Sequence, residues 1–395
     1  MLTTADTLRE MPALTPELHQ KLTAWRQHLH AHPELSLQET ATAAFVQERL
    51  AELGIPFEAG IGGHGIVATL TRGHAQARVG LRADMDALPI KEDTGLPYAS
   101  RNPGVMHACG HDGHTTSLLG AAALLVADTS WSGTVDFIFQ PAEEGYGGSR
   151  AMVGAGLFER FPMTRVFGFH NWPGLEAGTV AVHDGVVMAS AGRVVLTIEG
   201  HAGHAGLPHL SRDPVMAAGH LIVALQSIVA RSVDPLDTAV LSLCMIQGGT
   251  APNQIAGQVE IKGTLRTNRV PVRDAIVARI EQICAGVATS FDVAITPSFV
   301  HGVGPVVNTP AEASLARIAA ERAKAPLRQD LPPSMASEDF AYYLQHRPGA
   351  FVWIGNGPLR DGAELHGPRY DFNDAILPVA SRWMAEVAKT ALTAN

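Results

Sequence analysis

The sequence predicts an α/β fold that carries a smaller α+β domain as an insertion. Three observations predict it. Through the first 188 residues, β-rich runs alternate with segments of helical period. From about residue 189 to 300 the order becomes strand–helix–strand twice over, and beyond 301 the first style resumes. The expected division is therefore 1–188 and 301–395 for the larger domain and 189–300 for the insertion. A chain of 395 residues allows one very large domain or two, and an apolar content of 46% is ample for their cores.

Taken in order, Thr15-Pro16-Glu17 reads as a helix start, with Thr15 as cap and Pro16 at the first helical position. Leu18, Leu22, Trp25 and Leu29 follow at helical spacing, and the helix stops near His32-Pro33. Ser36-Leu37-Gln38-Glu39 has the form of a capping box. It opens a second helix expected to present Ala41, Phe45 and Leu53 and to end at Gly54. Strands follow at 66–70 and 78–83, the second running into Asp84-Met85-Asp86. An Ala-rich helix from His114 to about 127 is apolar and short enough to read as buried. Further strands at 134–139 and 166–169 stop at Gln140-Pro141 and at His170. In the insertion, strands at 193–199, 239–246, 258–267 and 292–299 enclose helices at 214–230 and 271–290. That order predicts a four-stranded sandwich of ferredoxin type, with no sequence repeat between its halves. Beyond Gly302 come a helix at 310–323, one opened by Ser337-Glu338-Asp339 as cap, a strand at 350–354, a loop with His366 and a last helix.

Composition narrows the class of function. A net charge of −9 argues against nucleic acid as partner. Cysteines at 109, 244 and 284 are too few and scattered for a disulfide framework, which fits a reducing cytoplasm. The first eleven residues lack the basic head and apolar run of a signal peptide. No stretch holds the roughly 18 uninterrupted apolar residues of a membrane span, so no membrane partner is expected. Eighteen histidines suggest metal chemistry without deciding it.

The densest chemistry lies in Met106-His107-Ala108-Cys109-Gly110-His111-Asp112-Gly113-His114. A thiolate and an imidazole two residues apart converge on one side of a turn that Gly110 and Gly113 relax. Sulfur, imidazole nitrogen and carboxylate together suit zinc or a similar divalent ion. The alternative is a helix start with incidental histidines. Asp84/Asp86, Glu143/Glu144 and His170 each follow a predicted strand, and ligands gather outside the carboxyl ends of strands in α/β sheets. On extended backbone the side chains of Glu143 and Glu144 point apart. One then binds metal, while the other serves as the free carboxylate a hydrolase needs to move a proton. A solvated acidic turn is the alternative there, and a satisfied strand-end histidine the alternative for His170.

The segments Arg26 to Leu35, Arg82 to Pro89, Met106 to His114, Gln140-Pro141-Ala142-Glu143-Glu144-Gly145 and Ser337-Glu338-Asp339-Phe340 resemble the M20 metallopeptidase family. They are most similar to its amidohydrolase branch of hippurate hydrolases, N-acyl-amino-acid deacylases and auxin-conjugate hydrolases. The resemblance implies a zinc-peptidase-like catalytic domain, with the insertion as lid and dimerisation domain. It implies two divalent ions (zinc, manganese, nickel or cobalt) held by Cys109, His111, Glu144, His170 and His366, with Glu143 as general base. Asp84 stands where many peptidases of the family carry a histidine ligand, so Cys109 takes that place and Asp86 becomes a supporting carboxylate. His204 in the lid segment matches the histidine lent to a neighbouring subunit's oxyanion, and His201 is the other candidate. Asn253 and Arg266 match positions that hold the substrate's carboxylate, against readings as a turn asparagine and an exposed strand arginine. The expected enzyme cleaves N-acyl or N-aroyl amino acids and assembles as a dimer or tetramer through the insertion.

Three rival readings remain from sequence. A dipeptidase or carboxypeptidase of the same family would share every motif. A thiol hydrolase would use Cys109 as nucleophile, its pKa lowered at a helix start. A non-catalytic protein would hold the metal as a structural ion, though such sites are closed by four side chains and leave no free base.

Overall fold

The computed structural model describes residues 14–359 and 362–394; the first eleven residues, read above for a leader, lie outside them. Two compact units result. One holds the chain up to Val187, Val307–Pro332 and the chain from Asp339 on; the other holds Met188–Val306 and Pro333–Glu338.

The larger unit is built on a mixed sheet of eight strands. Their spatial order is Phe57–Ile61, Gly65–Arg72, Gly133–Gln140, Arg78–Asp84, Arg165–Pro173, Gly349–Gly357, Val180–Ala181 and Leu327–Arg328. The four from Gly133–Gln140 to Gly349–Gly357 run parallel. They are buried on both faces, with Phe137, Ile138, Phe167 and Val352 among the buried side chains, which is why they read as continuous apolar runs. Parallel order places the ends of Arg78–Asp84, Gly133–Gln140 and Arg165–Pro173 along one edge, and the metal-type residues follow from that placement.

The helix His111–Ala127 is buried nearly all round, as its uniformly apolar sequence requires. It packs against Leu377–Thr393 and Pro16–Ala31. Contact is close at Gly120, where a Cβ would lie 2.2 Å from Ser381 Oγ and 2.9 Å from Leu22 Cδ1. Each fully buried leucine here, such as Leu118 or Leu119, contributes roughly 1.5–3 kcal/mol. Pro16–Ala31 starts as the sequence indicates, with Thr15 Oγ1 accepting from the Leu18 N–H at 3.2 Å. Its inner stripe holds Leu22, Trp25 and Leu29, but also Arg26 and His30.

Several local expectations need correction. Ser36 and Glu39 form no capping box: Thr40–Glu52 has no side-chain cap bond. Ser36 Oγ donates instead to Asp86 at 2.6 Å, and Glu39 accepts from the Ala142 N–H at 2.8 Å. The helix buries Thr42, Ala43, Val46 and Leu50, one step round from the stripe expected. Phe57–Ile61 is a strand the sequence reading omitted, and the strand expected to stop at His170 continues to Pro173.

The smaller unit has four antiparallel strands in the order Ala239–Gly248, Gln258–Thr267, Ser190–Glu199 and Ala294–His301, with helices Pro214–Arg231 and Val270–Phe291. This is the ferredoxin-type order, the first and third strands lying side by side in the middle. Val194, Leu196 and Ile198 alternate inward beneath Leu221, Leu225 and Ile228. Among the described residues only Pro214–Arg231 is long and apolar enough, by length and composition, to cross a membrane. His220, Gln226 and Ser227 interrupt its apolar run.

Candidate metal centre

Gly110, at φ +92°, turns the chain immediately before His111–Ala127. A side chain there would meet Asn171 Nδ2 and Tyr370 Oη, each at 2.4 Å. The turn delivers Cys109 and His111 to the sheet edge. Cys109 Sγ lies 3.3 Å from His170 Nε2 on the strand Arg165–Pro173. Glu144 Oε1 lies 3.3 Å from His366 Nε2 and 4.0 Å from His111 Nε2. The ligand atoms of Cys109, His111 and His170 all fall within 4.8 Å of one another, as do those of Cys109, Glu144 and His366. All five expected ligands, from four separate segments, are thus brought to one place in the larger unit. His366 was reached from sequence only through family order. It sits in a loop with φ +64°, its N–H donating to the Ala108 carbonyl at 2.8 Å.

Each imidazole is oriented from behind. His111 Nδ1–H donates to the Asp86 carbonyl at 2.9 Å and faces its carboxylate at 3.2 Å. His170 Nδ1–H donates to the Asn171 carbonyl at 2.7 Å. Both Nε2 lone pairs therefore face the cluster, the arrangement that metal-binding histidines adopt. His111 Nε2 and Glu144 Oε1 are buried without a hydrogen-bond partner. Such atoms cost about 1–3 kcal/mol each, and a cation between them removes the cost. Sulfur, nitrogen and oxygen donors at this spacing fit a zinc-like divalent ion.

The electrostatics agree. Burial pushes the Cys109 thiol well above its ordinary pKa, and the charges of Glu144, Glu143 and Asp84 push it further. That reverses the lowered value expected for a nucleophilic cysteine at a helix start. Burial opposes charge on His111, yet Asp84, Asp86 and Glu144 outweigh it and lift its pKa to about 10. Negative charge in a buried place contributes to both shifts, and a divalent cation neutralises it.

Glu143 and Glu144 do not lie on extended backbone as expected. Ala142, at φ +56°, breaks the strand direction, and the Gly145 N–H closes a turn onto the Glu143 carbonyl at 2.6 Å. Both carboxylates stay near His111, within 4.8 Å by their ligand atoms. Glu143 Oε1 accepts the Asp339 N–H at 3.1 Å.

Behind the ligands runs a buried network that the sequence reading left without a role. Asp84 Oδ1 accepts His114 Nδ1–H at 2.6 Å, and Oδ2 accepts Arg82 Nη1–H at 2.8 Å. Burial alone would raise the Asp84 pKa, but the charges of His111, Arg82 and His114 hold it well below the usual carboxylate range. His114 Nε2 accepts the Asn171 N–H at 3.0 Å. Asn171 Nδ2 donates to the Cys109 carbonyl at 2.7 Å, and Tyr370 Oη donates to Asn171 Oδ1 at 2.5 Å. Asp86 also accepts from Ser36 and, at 3.0 Å, from the Glu144 N–H, so it supports two ligand segments at once. The available signal was the two-residue period of Arg82, Asp84 and Asp86, which puts three charges on one strand face. Farther back, His30 Nδ1 meets Asp112 at 2.8 Å, and Arg26 pairs with Asp371 at 2.8 Å and Asp374 at 2.6 Å.

In the smaller unit, His204 is exposed on Gly203–His204, which pairs with Gln254–Ile255. The Ala205 N–H donates to the Asn253 carbonyl at 3.0 Å, so His204 and Asn253 lie on adjoining segments. His201 is exposed and its backbone pairs with Arg212. Arg266 is part-buried rather than exposed, and its Nη1 is buried without a hydrogen-bond partner.

The pattern describing Peptidase family M20/M25/M40 matches residues 80–390. An N-acetyl-L-cysteine deacetylase of Bacillus subtilis is 40% identical over 385 residues, covering 97% of this chain and 91% of the relative. A hippurate hydrolase of Campylobacter jejuni is 40% identical over 368 residues, covering 92% and 94%. The crystal structure of Bacillus subtilis YXEP protein, described as a dinuclear metal binding peptidase from the M20 family, superposes with a TM-score of 0.85 at 35% identity, covering 96% of this chain and 99% of that one. The chain belongs to peptidase family M20 and is a metal-dependent amide hydrolase.

Proposed function

We propose that this M20 chain hydrolyses the amide bond of N-acyl and N-aroyl amino acids, with Glu143 as general base. The observation that supports the reading most is the position of the Glu143 carboxylate, within 4.8 Å of the ligand atoms of His111 and Glu144 in the converging cluster. Cys109, His111, Glu144, His170 and His366 would hold two divalent ions. Such ions, when bound, lower the pKa of water and polarise a carbonyl. Glu143 takes a proton from the attacking water and delivers it to the leaving amine. Asp86 keeps the His111 ring turned inward. Arg266 offers a forked donor to the substrate's carboxylate, and the Asn253 amide offers another donor to it. His204, lent by a second copy in a dimer or tetramer, donates to the oxyanion. Relatives named for hippurate and N-acetyl-L-cysteine support this substrate class.

The test combines metal analysis with turnover of benzoylglycine, N-acetyl amino acids and dipeptides. About two ions per chain are expected, with activity lost on chelation and restored by re-addition. Glu143→Ala should cut turnover by about a hundredfold or more while keeping its metal; Glu144→Ala should lose metal. Substantial activity in Glu143→Ala, or cleavage of dipeptides alone, overturns the proposal.

A further inference from the structure

Ser337-Glu338-Asp339 reads in sequence as a helix cap, yet the Asp339 side chain makes no cap bond. Its carboxylate points into the larger unit, and the residue is only 1% exposed. It accepts Arg82 Nη2–H at 3.0 Å, Gln140 Nε2–H at 2.8 Å and the Ser149 N–H at 3.0 Å. Arg82 Nε–H donates in turn to Gln140 Oε1 at 2.8 Å. Arg82, Gln140 and Asp339 thus close a ring of hydrogen bonds, and all three are buried. Neutralising a buried arginine would explain the ring alone, but Asp84 already pairs with that guanidinium at 2.8 Å. What the ring adds is a fixed backbone at residue 339, whose N–H donates to Glu143 Oε1 at 3.1 Å. A carboxylate that shuttles a proton must be held in one orientation, because a displacement of about 1 Å costs on the order of a hundredfold in rate.

We propose that Asp339 is a positioning residue: its ring with Arg82 and Gln140 fixes the backbone N–H that orients the Glu143 carboxylate. The inference rests on the general-base reading of Glu143. Asp339 also reaches Asp84 through the shared Arg82 guanidinium, so metal content is measured beside turnover to separate an effect on Glu143 from one on the ligand cluster.

A double-mutant cycle tests it. Asp339→Ala is made in the wild-type chain and in Glu143→Asp, where the shortened carboxylate no longer reaches the N–H. Turnover of benzoylglycine, metal content and the structure of each variant are measured. In the wild-type background kcat should fall about tenfold to a hundredfold, with KM and metal content within about twofold of wild type. In Glu143→Asp the same change should alter kcat by less than about twofold, because the two residues act as one unit. The structure of Asp339→Ala should show Glu143 turned from its present position. Equal losses in both backgrounds, or metal lost together with activity, overturn the proposal. Should Asp339→Ala not fold, Gln140→Leu removes one donor at similar volume. It should lower kcat in the same non-additive way, and an unchanged kcat there overturns the proposal. Full activity in Glu143→Asp alone also overturns the positioning proposal, whereas substantial activity in Glu143→Ala would refute the general-base reading, so the two failures are distinct.

Discussion

Asp86→Ala deletes a buried carboxylate on which three groups depend. Ser36 Oγ donates to it at 2.6 Å, the Glu144 N–H at 3.0 Å, and His111 Nδ1 lies 3.2 Å away. Alanine strands the serine hydroxyl and the glutamate amide in a place water does not reach. At about 1–3 kcal/mol for each stranded donor, the metal-free fold should lose about 2–6 kcal/mol. His111 keeps its bond to the Asp86 carbonyl at 2.9 Å, so the ring is loosened rather than released. A carboxylate behind a metal-binding imidazole is worth about tenfold to a hundredfold in metal affinity, or about 1.4–2.8 kcal/mol. Urea unfolding of the metal-free protein reads the first quantity. Competition for zinc or manganese against a chelator of known affinity reads the second. Both should fall, and Asp86→Asn, which keeps one acceptor oxygen, should lie between. A folded Asp86→Ala protein whose competition curve superimposes on wild type would refute the idea that this carboxylate sets the His111 ligand.

Two further outcomes test the frame around the site. Burial opposes charge on His30, but hydrogen bonds to Asp112 and Glu92 lift its pKa to about 9, above the roughly 6.5 of an unfolded histidine. Its contribution is therefore complete below about pH 6.5 and lost as pH rises through about 9, amounting to about 3 kcal/mol at 1.36 kcal/mol per unit. Metal-free unfolding from pH 6 to 10 should show that decline, and His30→Gln should flatten it; an equal decline in the variant would assign it elsewhere. Gly113→Ala puts a Cβ 2.2 Å from Phe372 Cδ2, an overpacking that should cost about 1–3 kcal/mol, read as a lower melting temperature with no change in pH dependence.

What the sequence made legible follows a physical division. Thr15-Pro16 starts a helix because its bonds are local, with Thr15 capping Leu18. The central strands are readable because burial on both faces leaves a continuous apolar run. Ser36, Glu39 and Asp339 carry the same local cap signals, but each side chain bonds across the fold instead, to Asp86, Ala142 and Arg82. Local pattern cannot report a partner 50, 103 or 257 residues away. The same limit applies to His366, whose approach to Glu144 depends on a loop held by the Ala108 carbonyl. The Glu143-Glu144 pair drew notice by its chemistry, whereas its turn depends on Ala142 at φ +56°, which nothing in the residue type announces.

Chain order also gives the protein a schedule during synthesis. The strand Gly349–Gly357 lies between Arg165–Pro173 and Val180–Ala181, so the sheet has a gap until the ribosome has passed residue 357. Arg26 finds Asp371 and Asp374 only 345 and 348 residues later, and Leu377–Thr393, which covers His111–Ala127, emerges last of all. The strands of the smaller unit are complete by residue 301, and its four-stranded sheet is free to pair while the larger one waits. During that interval the nascent chain carries an apolar strand with an open edge, the form most exposed to wrong pairing. His366 also leaves the ribosome late, so a chain cut short before it carries Cys109, His111 and His170 without the imidazole that lies 3.3 Å from Glu144.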